Sequence, residues 1–234
     1  MDLISTLLLG ALLGMRHALD ADHVAAVASL VTRSSSRAET LRVGLAWGLG
    51  HSLTLLAVSV AVLLLGASFS GPVARWAEFA VGAMLVVLGA DVVWRAVRER
   101  IHVHFHTHAG GGTHLHVHSH SGEREAHRHS HHRHAHASGM PARALAVGLM
   151  HGLAGSAALL LLTVAPVERP ALGILYVVLF GAGSILGMAA LSLVVALPLR
   201  AIGRRATPLL GGLHIFVGGC TIILGAWIMA TLTA

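Results

Sequence analysis

The sequence predicts an all-α polytopic membrane protein: about six transmembrane helices, arranged as a 3+3 inverted repeat around a disordered, His-rich cytoplasmic loop. Three observations predict it. Apolar residues make up 55% of the chain and charged residues 11%, with a mean hydropathy of +0.76, which lies outside the range of soluble domains. Apolar runs long enough to cross the hydrocarbon core as helices recur six times, at about 3–30, 41–66, 73–96, 142–165, 171–199 and 208–232. The first three runs also echo the last three.

The first run has a polar island at its centre. Arg16-His17-Ala18-Leu19-Asp20-Ala21-Asp22-His23 lies between the apolar stretches Leu3 to Met15 and Val24 to Val31. Such groups cost several kcal/mol each at membrane depth unless they are paired, hydrated or ligating, so the island marks function. This run is also longer than one straight crossing needs, and the sequence suggests a tilted or locally unwound helix near Gly14. Unwound backbone is tolerated there only where it faces protein or a water-filled cavity. Met1-Asp2-Leu3 offers no basic n-region, so the run reads as a retained span and not as a signal peptide.

Arginine supplies all sixteen basic residues, and their placement sets the topology. The connections after runs one, three and five hold Arg33, Arg37, Arg42, Arg95, Arg98, Arg100, Arg124, Arg128, Arg133, Arg143, Arg200, Arg204 and Arg205; the opposite side has Arg75 and Arg169. Thirteen against two places both termini outside and the long 3–4 connection in the cytoplasm. The net charge of +6 follows from this bias. It does not form the aromatic-laced basic face of a nucleic-acid binder, and with no Walker A motif no nucleotide is expected either. One cysteine, Cys220, allows neither an internal disulfide nor a thiolate metal cluster.

The repeat pairs Gly14-Met15-Arg16-His17-Ala18-Leu19 with Gly148-Leu149-Met150-His151-Gly152-Leu153, and Gly50-His51-Ser52 with Ala182-Gly183-Ser184. Val81-Gly82 to Leu88-Gly89-Ala90 matches Val217-Gly218 to Leu224-Gly225-Ala226. Three spans per half is an odd number, so the halves must insert with opposite topology, an architecture that places a transported substrate near the midplane. The expected organisation is a first repeat over 1–100 carrying the metal-site motif, a loop over 101–140, and a second repeat over 141–234. Within the loop, residues 101–136 hold fourteen of the nineteen histidines together with Gly110-Gly111-Gly112. With almost no large apolar residues this stretch cannot bury a core, and disorder is expected. Its imidazoles suit weak, rapidly exchanging binding of divalent transition metals.

On a regular helix His17, Asp20 and His23 share one face, one turn apart. Two imidazoles and a carboxylate suit a borderline divalent metal, whereas Mg²⁺ and Ca²⁺ prefer all-oxygen sites. Asp22 points toward a neighbouring span, either as a carboxylate partner for His51 or as a direct ligand. Arg16 is the expected counter-ion of the two aspartates. His51 in run two and His151, at the repeat position of His17, can join the centre, and Met15 and Met150 beside the equivalent histidines are further possible ligands. Asp91 reads as a partner of Arg95. The candidate metal residues are therefore His17, Asp20, Asp22, His23, His51 and His151.

His17-x4-Asp22-His23, within Arg16 to His23, resembles the signature of the nickel/cobalt transporter family, and Leu49-Gly50-His51-Ser52 resembles that family's motif in the next span. The match is specific at these two stretches, which cover under a tenth of the chain; elsewhere the agreement is one of hydropathy. The resemblance implies a bacterial inner-membrane permease for Ni²⁺ or Co²⁺, with His17, Asp22, His23 and His51 as transport-site residues. This chain departs from the well-known uptake members in having six spans where they have eight, and in its His-rich loop. Such loops also occur in related nickel/cobalt exporters and in short relatives known as urease accessory proteins, which implies a link to urease or other nickel-enzyme maturation. The full Arg-His-x4-Asp-His form favours uptake.

The sequence thus predicts a permease, not an enzyme, with the metal ion as substrate and no prosthetic cofactor. Efflux is the alternative direction. A membrane-embedded metal-dependent hydrolase is the alternative class, and the sequence contains no His-Glu-x-x-His to support it.

Overall fold

The computed structural model describes residues 3–34, 36–65, 71–98, 102–107, 113–118, 140–153, 170–205 and 207–233. Among these are seven helices: α1 (Leu3–His17), α2 (Ala21–Val31), α3 (Arg37–Leu65), α4 (Pro72–Arg98), α5 (Met140–His151), α6 (Pro170–Arg205) and α7 (Thr207–Thr233). Four of them, α3, α4, α6 and α7, are long and apolar enough to cross a membrane. Large apolar side chains such as Trp76, Val87, Leu186, Ile223 and Trp227 are exposed on their outer faces, as lipid contact requires. The chain is a multi-pass membrane protein.

The first predicted span is not one helix. It is α1 and α2, separated by Ala18-Leu19-Asp20, and the break falls after His17 and not near Gly14. Two i→i+3 bonds, Leu19 N–H to Arg16 O at 2.9 Å and Asp20 N–H to His17 O at 3.1 Å, tighten the end of α1. Asp20 then turns extended (φ −62°, ψ 147°), and its carbonyl accepts Val24 N–H at 2.9 Å to start α2. Gly14 stays helical because its role is steric: a side chain there would strike the Phe180 carbonyl of α6. The fourth predicted span begins as α5, and residues 154–165 of it lie outside the described residues.

Local signals start the other helices. Ser36 precedes α3 and its Oγ accepts Glu39 N–H at 3.1 Å, half of a capping box. Pro72 opens α4 after Gly71, whose φ of +62° turns the chain, and Pro170 opens α6.

Four close pairings organise the bundle: α4 on α7, α3 on α6, α1 on α6, and α5 on α3. Hydroxyls stitch these crossings where the backbones approach. Ser184 Oγ donates to Gly14 O at 3.2 Å, Ser52 Oγ to Gly181 O at 3.0 Å, and Thr54 Oγ1 to Leu149 O at 2.9 Å. Short α2 sits between α3, α4, α6 and α7. Its Ala26, Val27 and Leu30 form the core with Val43 and Trp47 of α3, Leu85 of α4, Ala144 of α5 and Met188 of α6.

Where α2 ends, Asp91 of α4 gathers three arginines. Arg33 reaches both its oxygens at 2.8 Å, Arg143 of α5 lies at 3.2 Å and Arg95 at 3.3 Å. The expected Asp91–Arg95 pair is therefore one arm of a cluster joining three helices.

Within 101–136, where the sequence reading expects disorder, the structure describes a two-stranded antiparallel hairpin, β1 (His102–Thr107) with β2 (Thr113–His118). The register pairs His102 with His118, His104 with His116 and His106 with His114. The physical reason is period two: histidine alternates with Val103, Phe105, Leu115 and Val117, a strand pattern that composition alone hides. Residues 119–136 lie outside the described residues.

Candidate metal centre

The break in the first span brings the polar island together. His17 ends α1, Asp20 is the turn, and Asp22 and His23 open α2, so two histidines six residues apart have ring centroids only 4.4 Å apart. His51 enters from the middle of α3, with its centroid 5.0 Å from His23 and 5.3 Å from His17. His151, the last residue of α5, enters from the other side, 4.2 Å from His23 and 5.9 Å from His51. Trp47 of α3 lies 5.5 Å from His23 and 5.8 Å from His151, and Phe180 of α6 lies 5.5 Å from His17.

Burial makes this assembly chemically demanding. His51 and His151 are 0% exposed and His23 is 1% exposed. Buried ring nitrogens are ordinarily hydrogen-bonded. Here His17 Nε2, His23 Nε2, both nitrogens of His51 and Nδ1 of His151 have no hydrogen-bond partner among the described residues. Each such orphan costs about 1–3 kcal/mol, and convergent orphan nitrogens are what a transition-metal ion satisfies.

The carboxylates act on the opposite ring edges. His17 Nδ1–H donates to Asp20 Oδ2 at 2.7 Å, and His23 Nδ1–H donates to Asp22 Oδ1 at 3.0 Å. Both bonds leave Nε2 as the lone-pair nitrogen, the arrangement in which a carboxylate fixes the tautomer and aims a metal-binding histidine. The second Asp22 oxygen accepts from His151 Nε2 at 2.9 Å. The ligand atoms of His17, His23 and His51 lie within 4.8 Å of one another, and so do those of Asp22, His23 and His151.

All six sequence-derived candidates therefore meet at one place, with Asp20 at its rim and touching His17 alone among the histidines. Three details differ from expectation. Asp22 partners His23 and His151, not His51, because α2 starts on a new axis after the break and turns its first carboxylate toward α5. Arg16 is exposed and forms no ion pair among the described residues; histidines take up the aspartates instead. Met15 and Met150 are 38% and 45% exposed. Trp47 carries no charge or ligand signal in the sequence, but its position one turn before His51 puts it on the same helix face.

The sequence pattern of the high-affinity nickel-transport protein family matches residues 3–201, which include every residue of this centre. The chain is also 34% identical over 205 residues, 87% of its own length and 82% of the relative's, to the urease accessory protein UreH of Bacillus sp. (strain TB-90). No solved structure matches it. With its helical membrane fold and its buried histidine centre, this chain belongs to the high-affinity nickel-transport protein family.

Proposed function

We propose that this protein takes Ni²⁺ into a bacterial cell through the centre built by His17, His23 and His51, with Asp20 and Asp22 orienting the rings. Membership in a transporter family sets the hydrolase reading aside. The observation that carries the proposal is the set of ring nitrogens on His17, His23 and His51 that have no hydrogen-bond partner among the described residues, gathered at the break between α1 and α2. Co²⁺ accepts the same donors and is a second substrate of this site.

Inward movement needs no coupled ion. A negative interior favours influx of a dication by about 4.6 kcal/mol per 100 mV, twice the single-charge value. The arginine bias supports both termini outside and the His-rich segment in the cytoplasm, where that segment receives metal leaving the centre. The name of the UreH relative supports delivery to urease or another nickel enzyme.

The helix pairings support two interlocked halves, 1–100 and 141–234. The first helix of each half lies on the first long helix of the other, α1 on α6 and α5 on α3, while α4 and α7 pair with each other. That reciprocity is what an inverted 3+3 repeat produces.

The test is ⁶³Ni accumulation in cells expressing the chain. His17→Ala and His23→Ala should abolish it while the protein still reaches the membrane, and near-parental uptake by either variant would sink the proposal. Proteoliposome flux measured both ways, with and without a pH gradient, decides direction; flux that runs only outward against proton influx would make the protein an exporter.

A further inference from the structure

We infer that the centre holds its ion in either of two overlapping positions, and that His151 and Asp22 form the second. The inference rests on the transport reading above and concerns how the ion moves within that site.

Two sets of donors are present, and His23 belongs to both. His17, His23 and His51 form one, and Asp22, His23 and His151 the other. An imidazole has its nitrogens on two edges, so one ring can serve an ion on either side. Among the described residues His23 Nε2 has no hydrogen-bond partner, whereas His23 Nδ1 lies 3.0 Å from Asp22 Oδ1. On the same carboxylate, Oδ2 lies 2.9 Å from His151 Nε2. With the ion in the first set, Asp22 orients His23. With the ion in the second, Asp22 is itself a ligand.

Proton bookkeeping closes without a free charge. His151 Nδ1 and His23 Nε2 both lack a hydrogen-bond partner among the described residues, so each ring can hold its single proton there when the ion takes the opposite nitrogen. The two sets differ in charge, three neutral nitrogens against two nitrogens and a carboxylate. The shared ring and the repulsion between two dications a few ångströms apart restrict the centre to one ion at a time.

An ion passes between the two sets by exchanging His17 and His51 for Asp22 and His151, while its bond to His23 moves from Nε2 to Nδ1 and the ring's single proton ends on the nitrogen the ion has left.

Binding energetics separate this from a single cage that uses every residue at once. Alternative positions make either single loss mild and the double loss severe; a single cage makes each single loss severe. Trp47 supplies a local readout, because bound Ni²⁺ quenches an indole as close as this one is to His23 and His151. The full-length chain is prepared with the exposed Trp76, Trp94 and Trp227 replaced by Phe, and Ni²⁺ is titrated. His51→Ala, His151→Ala and the double variant are compared, with His→Phe versions that keep ring-sized volume in case the alanine proteins do not fold.

Each single variant should shift the half-quenching concentration less than about tenfold and the double variant more than about 100-fold. In proteoliposomes both single variants should lose more than about tenfold in nickel flux, because one station of the exchange is missing. A single variant that loses binding as fully as the double overturns the inference, and so does a His151 variant that binds and still transports at the parental rate. A parent that moves no nickel, with the binding cycle as expected, sinks the transport reading and leaves the two positions standing.

Discussion

Asp20 and His17 are joined across the turn between α1 and α2 by a hydrogen bond of 2.7 Å, formed by the carboxylate and the ring edge opposite the unpartnered Nε2. Asp20 occupies the N-cap position of α2 but makes no side-chain cap bond, so its carboxylate serves the histidine and not the helix end.

Removing an orienting carboxylate of this kind typically weakens metal affinity 10–100-fold without abolishing binding. Asp20→Ala should therefore raise the KM for nickel uptake, but by less than about tenfold because the Asp22, His23 and His151 set still holds the ion, with kcat near the parental value. Asp20→Asn should lose less, because its amide oxygen can still accept the His17 N–H. The check is the concentration dependence of ⁶³Ni uptake; complete loss at saturating nickel would make Asp20 a ligand.

Much of this is legible in the amino-acid sequence alone. Hydropathy located the long helices, and intramembrane histidines and aspartates located the centre, because both signals come from the cost of polar groups in lipid. The break after His17 was not legible, since Ala18 and Leu19 are good helix formers and only the tertiary site demands the turn. The placement of Asp22 follows from that break and was hidden with it. The hairpin was present as strict alternation, but a histidine count masks period-two order.

Gly148 of α5 lies against the Trp47 carbonyl and Gly50 of α3 against the Leu145 carbonyl, so this crossing has no room for a β-carbon on either side. Gly148→Ala should push α5 off α3, at a cost of about 1–3 kcal/mol, and carry His151 away from His23. Gly211 and Gly212 of α7 have open space at the same point, and alanine there should leave stability nearly unchanged or slightly improved. Thermal unfolding in detergent distinguishes them: Gly148→Ala should melt several degrees lower, and equal melting would mean that the crossing relaxes freely.

Asp91 is the acid around which Arg33, Arg95 and Arg143 collect, and removing its charge leaves three guanidinium groups facing one another. The carboxylate is 25% exposed, so the loss is smaller than for a buried pair. Asp91→Asn should destabilise by about 1–2 kcal/mol at low ionic strength and recover part of this in salt, which screens like-charge repulsion. Melting temperatures in low and high NaCl test it. A deficit that does not change with salt would place the role of Asp91 in packing.

The same cluster predicts how short the connection between the halves can be made. Arg143 lies 3.2 Å from Asp91, with α4 continuing to Arg98 and α5 beginning at Met140. At about 1.5 Å per helical residue, with the two side chains adding about 10 Å between the backbones, the two helix ends are then within roughly 25 Å of each other. Six to eight Gly/Ser residues, together with the retained 99–100 and 137–139, reach that far at about 3.3 Å per residue. Replacing 101–136 by such a linker should therefore leave the bundle folded and the histidine centre assembled. Nickel flux should persist, with a changed apparent affinity or metal preference as the loop's imidazoles are lost. Size-exclusion profiles and Trp47 quenching report folding and occupancy, and ⁶³Ni flux reports function. A variant that folds and binds nickel at the centre but moves none would make the His-rich segment an obligatory part of the path.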